Sequence, residues 1–256
     1  MNIKMIVTDL DQTLLHKDKT ITDYSIDILT CCRTAGIKIV YATARSTQAS
    51  LNFFERFMPD IFIGYGGALA LADKEVINRF DISADISYQL INECMREPDI
   101  TSILAINENK ALTNRLDTLD SESSHYKYTD FTVKNNQNYL KISLVAVNPE
   151  IVERIASKYP MLDMLRYTGE NLYRFANRNA VKWDAVKAVA EHYNINTNML
   201  VAFGDDINDL EMIKNCGIGV AVANAIDEVK AIADYICDTN DNDGVAKWLE
   251  ENVLCK

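Results

Sequence analysis

"IVTDLDQT", residues 6–13, sets an apolar run directly against two aspartates two positions apart. In an extended segment such residues project to one side, so Asp9 and Asp11 hold two carboxylates close together. Like charges at that separation raise the pKa of one group unless a proton or a cation compensates. The stretch therefore asks for a positive partner at the end of a buried strand.

Outward from it, "IKMIVTD" (3–9) reads as a strand. "YSIDILTCCRTAG" (24–36) reads as a helix with Ile26, Leu29 and Cys31/Cys32 at helical spacing and Gly36 as its stop, and "IKIVYATAR" (37–45) as a second strand. Strand, helix, strand implies a right-handed crossover and a parallel sheet, whose ligands bind beyond the carboxyl ends of the strands. Both "TDLD" and "ATAR" stand at such ends.

A helix follows in "TQASLNFFERFM" (47–58). "DIFIGYGGALAL" (60–71) then reads as strand, glycine-rich turn, strand, with "ADKEVI" (72–77) as the return of a hairpin. Near residue 81 the rhythm changes. A helix in "ISYQLINECM" (86–95) and strand-like pieces "TSILAI" (101–106) and "YLKISLVAV" (139–147) are separated by the polar spacers "DSESSHYKYTD" (120–130) and "KNNQN" (134–138). Residues 82–176 are expected to form an inserted α+β domain. Tyr126, Tyr128, Tyr139, Tyr167 and Phe175 are expected mostly to pack its sheet, where aromatics are favoured.

The alternation returns with a helix in 182–193, a strand in 198–203, the acids of "GDDIND" (204–209), a helix in 210–216, a strand in 217–223, a helix in 225–233 and a short strand in "DYICD" (234–238). The expectation is an α/β fold: a doubly wound, Rossmann-like parallel sheet from residues 1–81 and 177–256, interrupted by one α+β insert.

Composition limits the function classes. The 256 residues allow one large or two smaller domains, and 48% hydrophobic with 25% charged residues, 9 glycines and 4 prolines is ordinary for a packed globular chain. A net charge of -11 repels phosphate backbones and argues against nucleic acid as a partner. The start offers neither a signal peptide nor a membrane span, so a cytoplasmic protein with no membrane partner is expected. The cysteines (Cys31, Cys32, Cys94, Cys216, Cys237, Cys255) lack C-x-x-C spacing, and His16, His125 and His192 are scattered. All nine read as structural or surface residues, with neither zinc nor cysteine chemistry.

Four clusters remain at strand ends or helix starts: Asp9/Asp11, Thr43, Lys182, and Asp205/Asp206/Asn208/Asp209. Each has a plain reading. Aspartate or threonine after a strand serves as a helix cap. Lys182 would be a solvated lysine in a first helical turn, and "GDDIND" a turn. Together, acids on separate parallel strands with a hydroxyl and an ammonium form a unit suited to phosphate. Carboxylates and carbonyls are the hard ligands of Mg²⁺, while a hydroxyl, helix-start N–H groups and a lysine hold the oxygens of a phosphoryl group in transfer.

"DLDQT", "ATAR", Lys182 and "GDDIND" resemble, in order and across the whole chain, the four motifs of the haloacid dehalogenase superfamily of phosphohydrolases. The insertion point, "GVAVANAIDEVKAIADYI" (219–236) and "NDGVAKWLE" (242–250) are similar to its Cof-type branch, which carries a type IIB cap domain between the second and third motifs. The resemblance implies Asp9 as the nucleophile that takes the phosphoryl group and Asp11 as the general acid and base. It implies Mg²⁺ held by the Asp9 and Asp205 carboxylates and the Asp11 backbone carbonyl, with Asp209 supporting the metal or Lys182. Phosphate would be held by Leu10, Thr43, Ala44, Lys182 and Asn208, and Asp206 takes no role.

The cap would close over the site and recognise the leaving group. The implied activity is a phosphomonoester hydrolase acting on a small phosphorylated metabolite, with a sugar phosphate favoured. A phosphomutase is the enzymatic alternative, and a non-enzymatic phosphoaspartate module or an idle relative are the others. Two departures stand out. Ala44 replaces the glycine of the family's A-T-G-R, and "GYGGA" (64–68) replaces a common N-G-A.

Overall fold

The structure, a computed structural model, describes residues 2–73, 75–115, 126–134, 136–167 and 169–255. His125, residues 120–125 of the first polar spacer, Asn135 of the second and Lys74 of the hairpin return lie outside them.

The chain divides into two compact units, Met1–Arg79 with Val181–Lys256, and Phe80–Ala180. The first begins with β1 (Met5–Thr8), α1 (Asp23–Thr34), β2 (Lys38–Ala42), α2 (Thr47–Arg56), β3 (Ile61–Gly64), β4 (Leu69–Ala72) and β5 (Glu75–Arg79). The second contains α3 (Ala84–Cys94), β6 (Ile100–Ile106), β7 (Ala111–Thr113), β8 (Tyr126–Tyr128), β9 (Lys141–Ala146), α4 (Pro149–Ala156), β10 (Leu162–Arg166) and β11 (Leu172–Asn177). The first unit then resumes with α5 (Lys182–His192), β12 (Leu200–Gly204), α6 (Leu210–Asn215), β13 (Ile218–Val222), α7 (Asp227–Ile232), β14 (Tyr235–Cys237) and α8 (Gly244–Leu249).

The first unit is α/β, as the alternation requires. Its eight-stranded sheet runs β14-β13-β12-β1-β2-β3-β4-β5, with parallel pairing from β14 through β3 and an antiparallel β3-β4-β5 meander at one edge. Strands β1 and β12 are buried at every position, which is why they read as unbroken apolar runs rather than as alternation. Successive strands step outward from β1 through β2 and β3, and the returning chain places β12 on the other side of β1. The order therefore reverses at β1/β12, where open α/β sheets bind ligands.

Threonine and serine caps start the first two helices: Thr22 accepts from the Ser25 N–H at 3.0 Å and Ser46 from the Ala49 N–H at 3.1 Å. In α1 the buried face is Ser25, Ile28, Leu29 and Cys32. That i, i+3, i+4, i+7 stripe turns Ile26 to its shoulder and leaves Cys31 exposed. Met5, Ile6, Ile39, Val40, Leu200 and Phe203 from the sheet join Leu29, Val186, Ile213 and Trp248 from the helices in one core.

The second unit has a six-stranded sheet, β10-β11-β9-β6-β7-β8, antiparallel except for β7/β8. One face carries Ile103, Ala105, Ile142, Leu144, Tyr173 and Phe175 into a core with Leu90, Ile91 and Cys94 of α3 and Val152 and Ile155 of α4. Of the aromatics expected to pack this sheet, Tyr139 and Phe175 are buried and Tyr128 is exposed. Among the described residues no helix is long and apolar enough to cross a membrane.

Candidate active site

The chemistry-bearing residues gather where β12, β1 and β2 end side by side. Asp9 follows β1, and its N–H continues the ladder to the Phe203 carbonyl at 3.1 Å. Thr43 follows β2 with its N–H on the Ile63 carbonyl at 2.8 Å, and Asp205 follows β12. After Asp9 the chain turns sharply through residues 10–14, with Gln12 at φ 59° and its carbonyl accepting from Asn224 at 2.8 Å. Leu10 is fully buried within this turn.

Lys182, at the start of α5, is buried to 4% exposure, and its Nζ donates to Asp9 Oδ1 at 2.6 Å and Asp209 Oδ1 at 2.7 Å. The other Asp209 oxygen accepts from the backbone N–H groups of Asp205 at 3.0 Å and Asp206 at 3.2 Å, so one carboxylate binds both the lysine and its own turn. Gly204 makes this fold-back possible, because a Cβ there would fall on the Asp209 side chain. Thr13 donates to Asp205 Oδ1 at 2.7 Å.

The turn 64–68 acts as a wedge. Gly66 N–H reaches the Thr43 carbonyl at 3.0 Å and Tyr65 N–H the Arg45 carbonyl at 2.8 Å. Gly67, at φ 103°, lies so close to the Val181–Lys182 peptide that a Cβ would overlap the Val181 carbonyl. The extra glycines thus fasten the Thr43 loop to the start of the helix that carries Lys182. Ala44 is not among the residues at positive φ, so its methyl needs no backbone adjustment of that kind.

Carboxylate oxygens of Asp9, Asp205 and Asp209 lie within 4.8 Å of one another, all three residues buried. Burial, only partly offset by Lys182 and reinforced by Asp209 and Asp205, pushes the Asp9 carboxyl well above the ordinary carboxylate value. Asp205 is pushed up to about 7 by burial and by Asp209, against the Thr13 hydrogen bond and Lys182. Burial alone would lower the Lys182 ammonium, but Asp209 and Asp9 outweigh it and raise it, so the lysine stays charged. Three buried carboxylates against one ammonium are short of positive charge. A hard divalent cation fits this donor set.

Asp11 is placed differently. Its carboxylate takes a two-pronged contact from Arg45, Nε to Oδ2 at 2.6 Å and Nη2 to Oδ1 at 2.7 Å, and a third from Lys19 at 2.8 Å. Burial would raise this group, yet Arg45 and Lys19 outweigh it and hold it below the usual range. Asn208 sits half-buried in the one-turn helix Ile207–Asp209. The sequence reading gave no role to Arg45, Lys19 or Thr13. Arg45 stood inside the quoted "ATAR" and Thr13 inside "DLDQT", but separations of 34 and 192 residues to their partners leave no periodic signal.

The sequence pattern of the haloacid dehalogenase-like hydrolases matches residues 6–249. The chain belongs to the haloacid dehalogenase-like hydrolases. It is a phosphatase of that family. A putative phosphatase of Haemophilus influenzae is 25% identical, the match covering 98% of each chain. The 5-amino-6-(5-phospho-D-ribitylamino)uracil phosphatase YcsE of Bacillus subtilis is 26% identical over 99% of this chain and 97% of its own. Among solved structures, a superfamily phosphatase from Bacteroides thetaiotaomicron is 26% identical with a TM-score of 0.83, covering 97% of this chain and 94% of that one.

Proposed function

We propose that the protein is a Mg²⁺-dependent phosphomonoester hydrolase of a small phosphorylated metabolite, a sugar phosphate or similar polyol phosphate, working through an aspartyl phosphate on Asp9. The observation that carries this reading is the buried cluster of Asp9, Asp205 and Asp209 around Lys182 at the reversal point of the sheet. Mg²⁺ held by Asp9 and Asp205, with the Asp11 backbone carbonyl, would neutralise the crowded carboxylates and the charge on a phosphate ester.

In the first half-reaction an Asp9 oxygen attacks phosphorus as the bond to the leaving oxygen breaks, and Asp11 delivers the proton that oxygen needs. In the second, Asp11 takes a proton from water as the water attacks the acyl phosphate, releasing inorganic phosphate and restoring the Asp9 carboxylate. Thr43, Lys182, Asn208 and the backbone at Leu10 and Ala44 hold the phosphoryl oxygens. The clasp of Arg45 and Lys19 presents Asp11 as a carboxylate, ready for the second half. The first half requires Asp11 to leave those cations and carry a proton.

The inserted unit is assigned the recognition of the leaving group, which suits relatives named for a ribitylaminouracil phosphate substrate. Four buried and two exposed cysteines, all free, accord with a reducing, cytoplasmic setting. The test is phosphate release across sugar phosphates, nucleotides and an aryl phosphate, with and without Mg²⁺, beside Asp9→Asn. Release that needs both the metal and Asp9 is expected. Isomer formation without release would move the assignment to a phosphomutase.

A further inference from the structure

The core of the second unit lies on one face of its sheet, and strand alternation turns the neighbours of those core residues to the other face. There Arg174 of β11 stands directly across from Ser143 of β9, which stands across from Leu104 of β6, which in turn faces Thr113 of β7. The adjoining row is Leu172, Val145 and Ser102. Except for Arg174, these residues and Tyr126 line one cavity of about 170 Å³, apolar in body with the hydroxyl-bearing Ser102, Thr113, Tyr126 and Ser143 in its wall.

Arg174 is only 3% exposed, yet just one of its nitrogens has a partner, Nη2 on Asp163 at 3.0 Å. Among the described residues its Nε and Nη1 are buried without any acceptor. A guanidinium is always charged, and leaving buried donors of a charged group unpaired is among the more costly arrangements a fold can hold. Asp163 is half exposed, so the ion pair answers only one edge of the group.

We propose that this face of the second unit is a binding site for a small organic anion, whose oxyanion, a carboxylate or phosphate, completes the hydrogen bonding of Arg174 while its body enters the cavity beside Ser143. Arg174 is the register partner of Ser143, which lines the cavity, and cross-strand neighbours of this kind are about 4.5–5.5 Å apart at Cβ, within reach of one small molecule. The anion has two possible sources: a second charged group on the phosphatase substrate, or a separate effector. The first rests on the reading under Proposed function, and the second does not.

The experiment compares the protein with Arg174→Gln in two ways. The first is the ratio of kcat/KM for two esters that differ in a second oxyanion, 3-phosphoglycerate against glycerol 1-phosphate. The second is the shift in melting temperature with citrate, a probe that needs no turnover. A ratio of at least about tenfold that falls near one in Arg174→Gln assigns the site to the substrate. A ratio near one with a saturable citrate shift that Arg174→Gln lacks assigns it to an effector. Ratio and citrate shift both unchanged by Arg174→Gln overturn the proposal. If that variant does not fold, Ser143→Leu, which fills the cavity wall and keeps the guanidinium, decides: wild-type values in both readouts overturn it. Absence of phosphate release from every ester would defeat the phosphatase reading alone and leave the citrate comparison standing.

Discussion

The two units treat a buried cation in opposite ways. In the first, Lys182 is enclosed by Asp9 and Asp209 at 2.6 and 2.7 Å, and Asp209 is in turn held by two backbone N–H groups. In the second, Arg174 is equally buried and, among the described residues, two of its nitrogens have no acceptor. A closed network fixes one geometry whatever molecule arrives, which suits the phosphoryl group common to every candidate substrate. An incomplete network waits for a ligand to finish it, which suits the part that differs from one substrate to the next. The difference predicts that changes in the first unit alter rates for all esters alike, while changes around Arg174 alter only the response to a second oxyanion, carried by the ester or by an effector.

The sharpest way to break that contrast is Asp9→Asn. Removing a nucleophile costs on the order of a millionfold in turnover, and the account expects a loss of that order for every ester, with the far-ultraviolet circular dichroism of the folded protein retained. A loss confined to some esters would place Asp9 on the selective side. Next in size, Asp11→Asn should lower kcat by roughly a hundredfold to ten-thousandfold, while Mg²⁺ affinity measured by calorimetry stays unchanged, because only its backbone oxygen is assigned to the metal.

Lys182→Ala leaves Asp9 and Asp209 without their cation. Breaking such a buried pair costs about 3–5 kcal/mol, read as a lower urea midpoint, with Mg²⁺ recovering part of it. The metal-free protein should also lose stability as pH rises. Asp205 has a folded pKa of about 7, above its ordinary 3.8. Its contribution is fully present below the lower value and lost through the higher one, so the melting temperature should fall from about pH 4 to about pH 7. Mg²⁺ should restore more stability at the upper end than at the lower, and a flat metal-free profile would contradict the crowding of acids.

The smallest expected effect belongs to Arg45→Gln. Without one cation of the clasp the Asp11 carboxyl rises, so the basic limb of kcat/KM, set by Asp11 as the proton donor of the first half-reaction, should move to higher pH. An unmoved limb would detach Asp11 from that limb.

Much of the first unit was legible because its central strands are buried on both faces and so appear as plain apolar runs, each ending in a polar residue at the sheet's carboxyl edge. That is how Asp9, Thr43 and Asp205 stood out as candidates by residue type and place, and Lys182 by its place at a helix start. What escaped was whatever depends on a side chain reaching far along the chain: Arg45 and Lys19 on Asp11, and Thr13 on Asp205. Close approach escaped too, since nothing local marks Gly67 as the residue that lets a turn lie against Val181 or Gly204 as the space for Asp209. In the second unit Arg174 reads as one charged residue in an alternating strand. Its meaning comes from the strands on either side, whose register the sequence does not print.

The most direct test of the Asp9 assignment is to quench the protein in acid during turnover of a phosphate ester with Mg²⁺, reduce it with borohydride, and map the modified residue by mass spectrometry. The account predicts that an acyl phosphate, reduced to homoserine, is found at residue 9, requires the metal and is absent from Asp9→Asn. Phosphate release with residue 9 unmodified, or with the phosphoryl group on another residue, would contradict it.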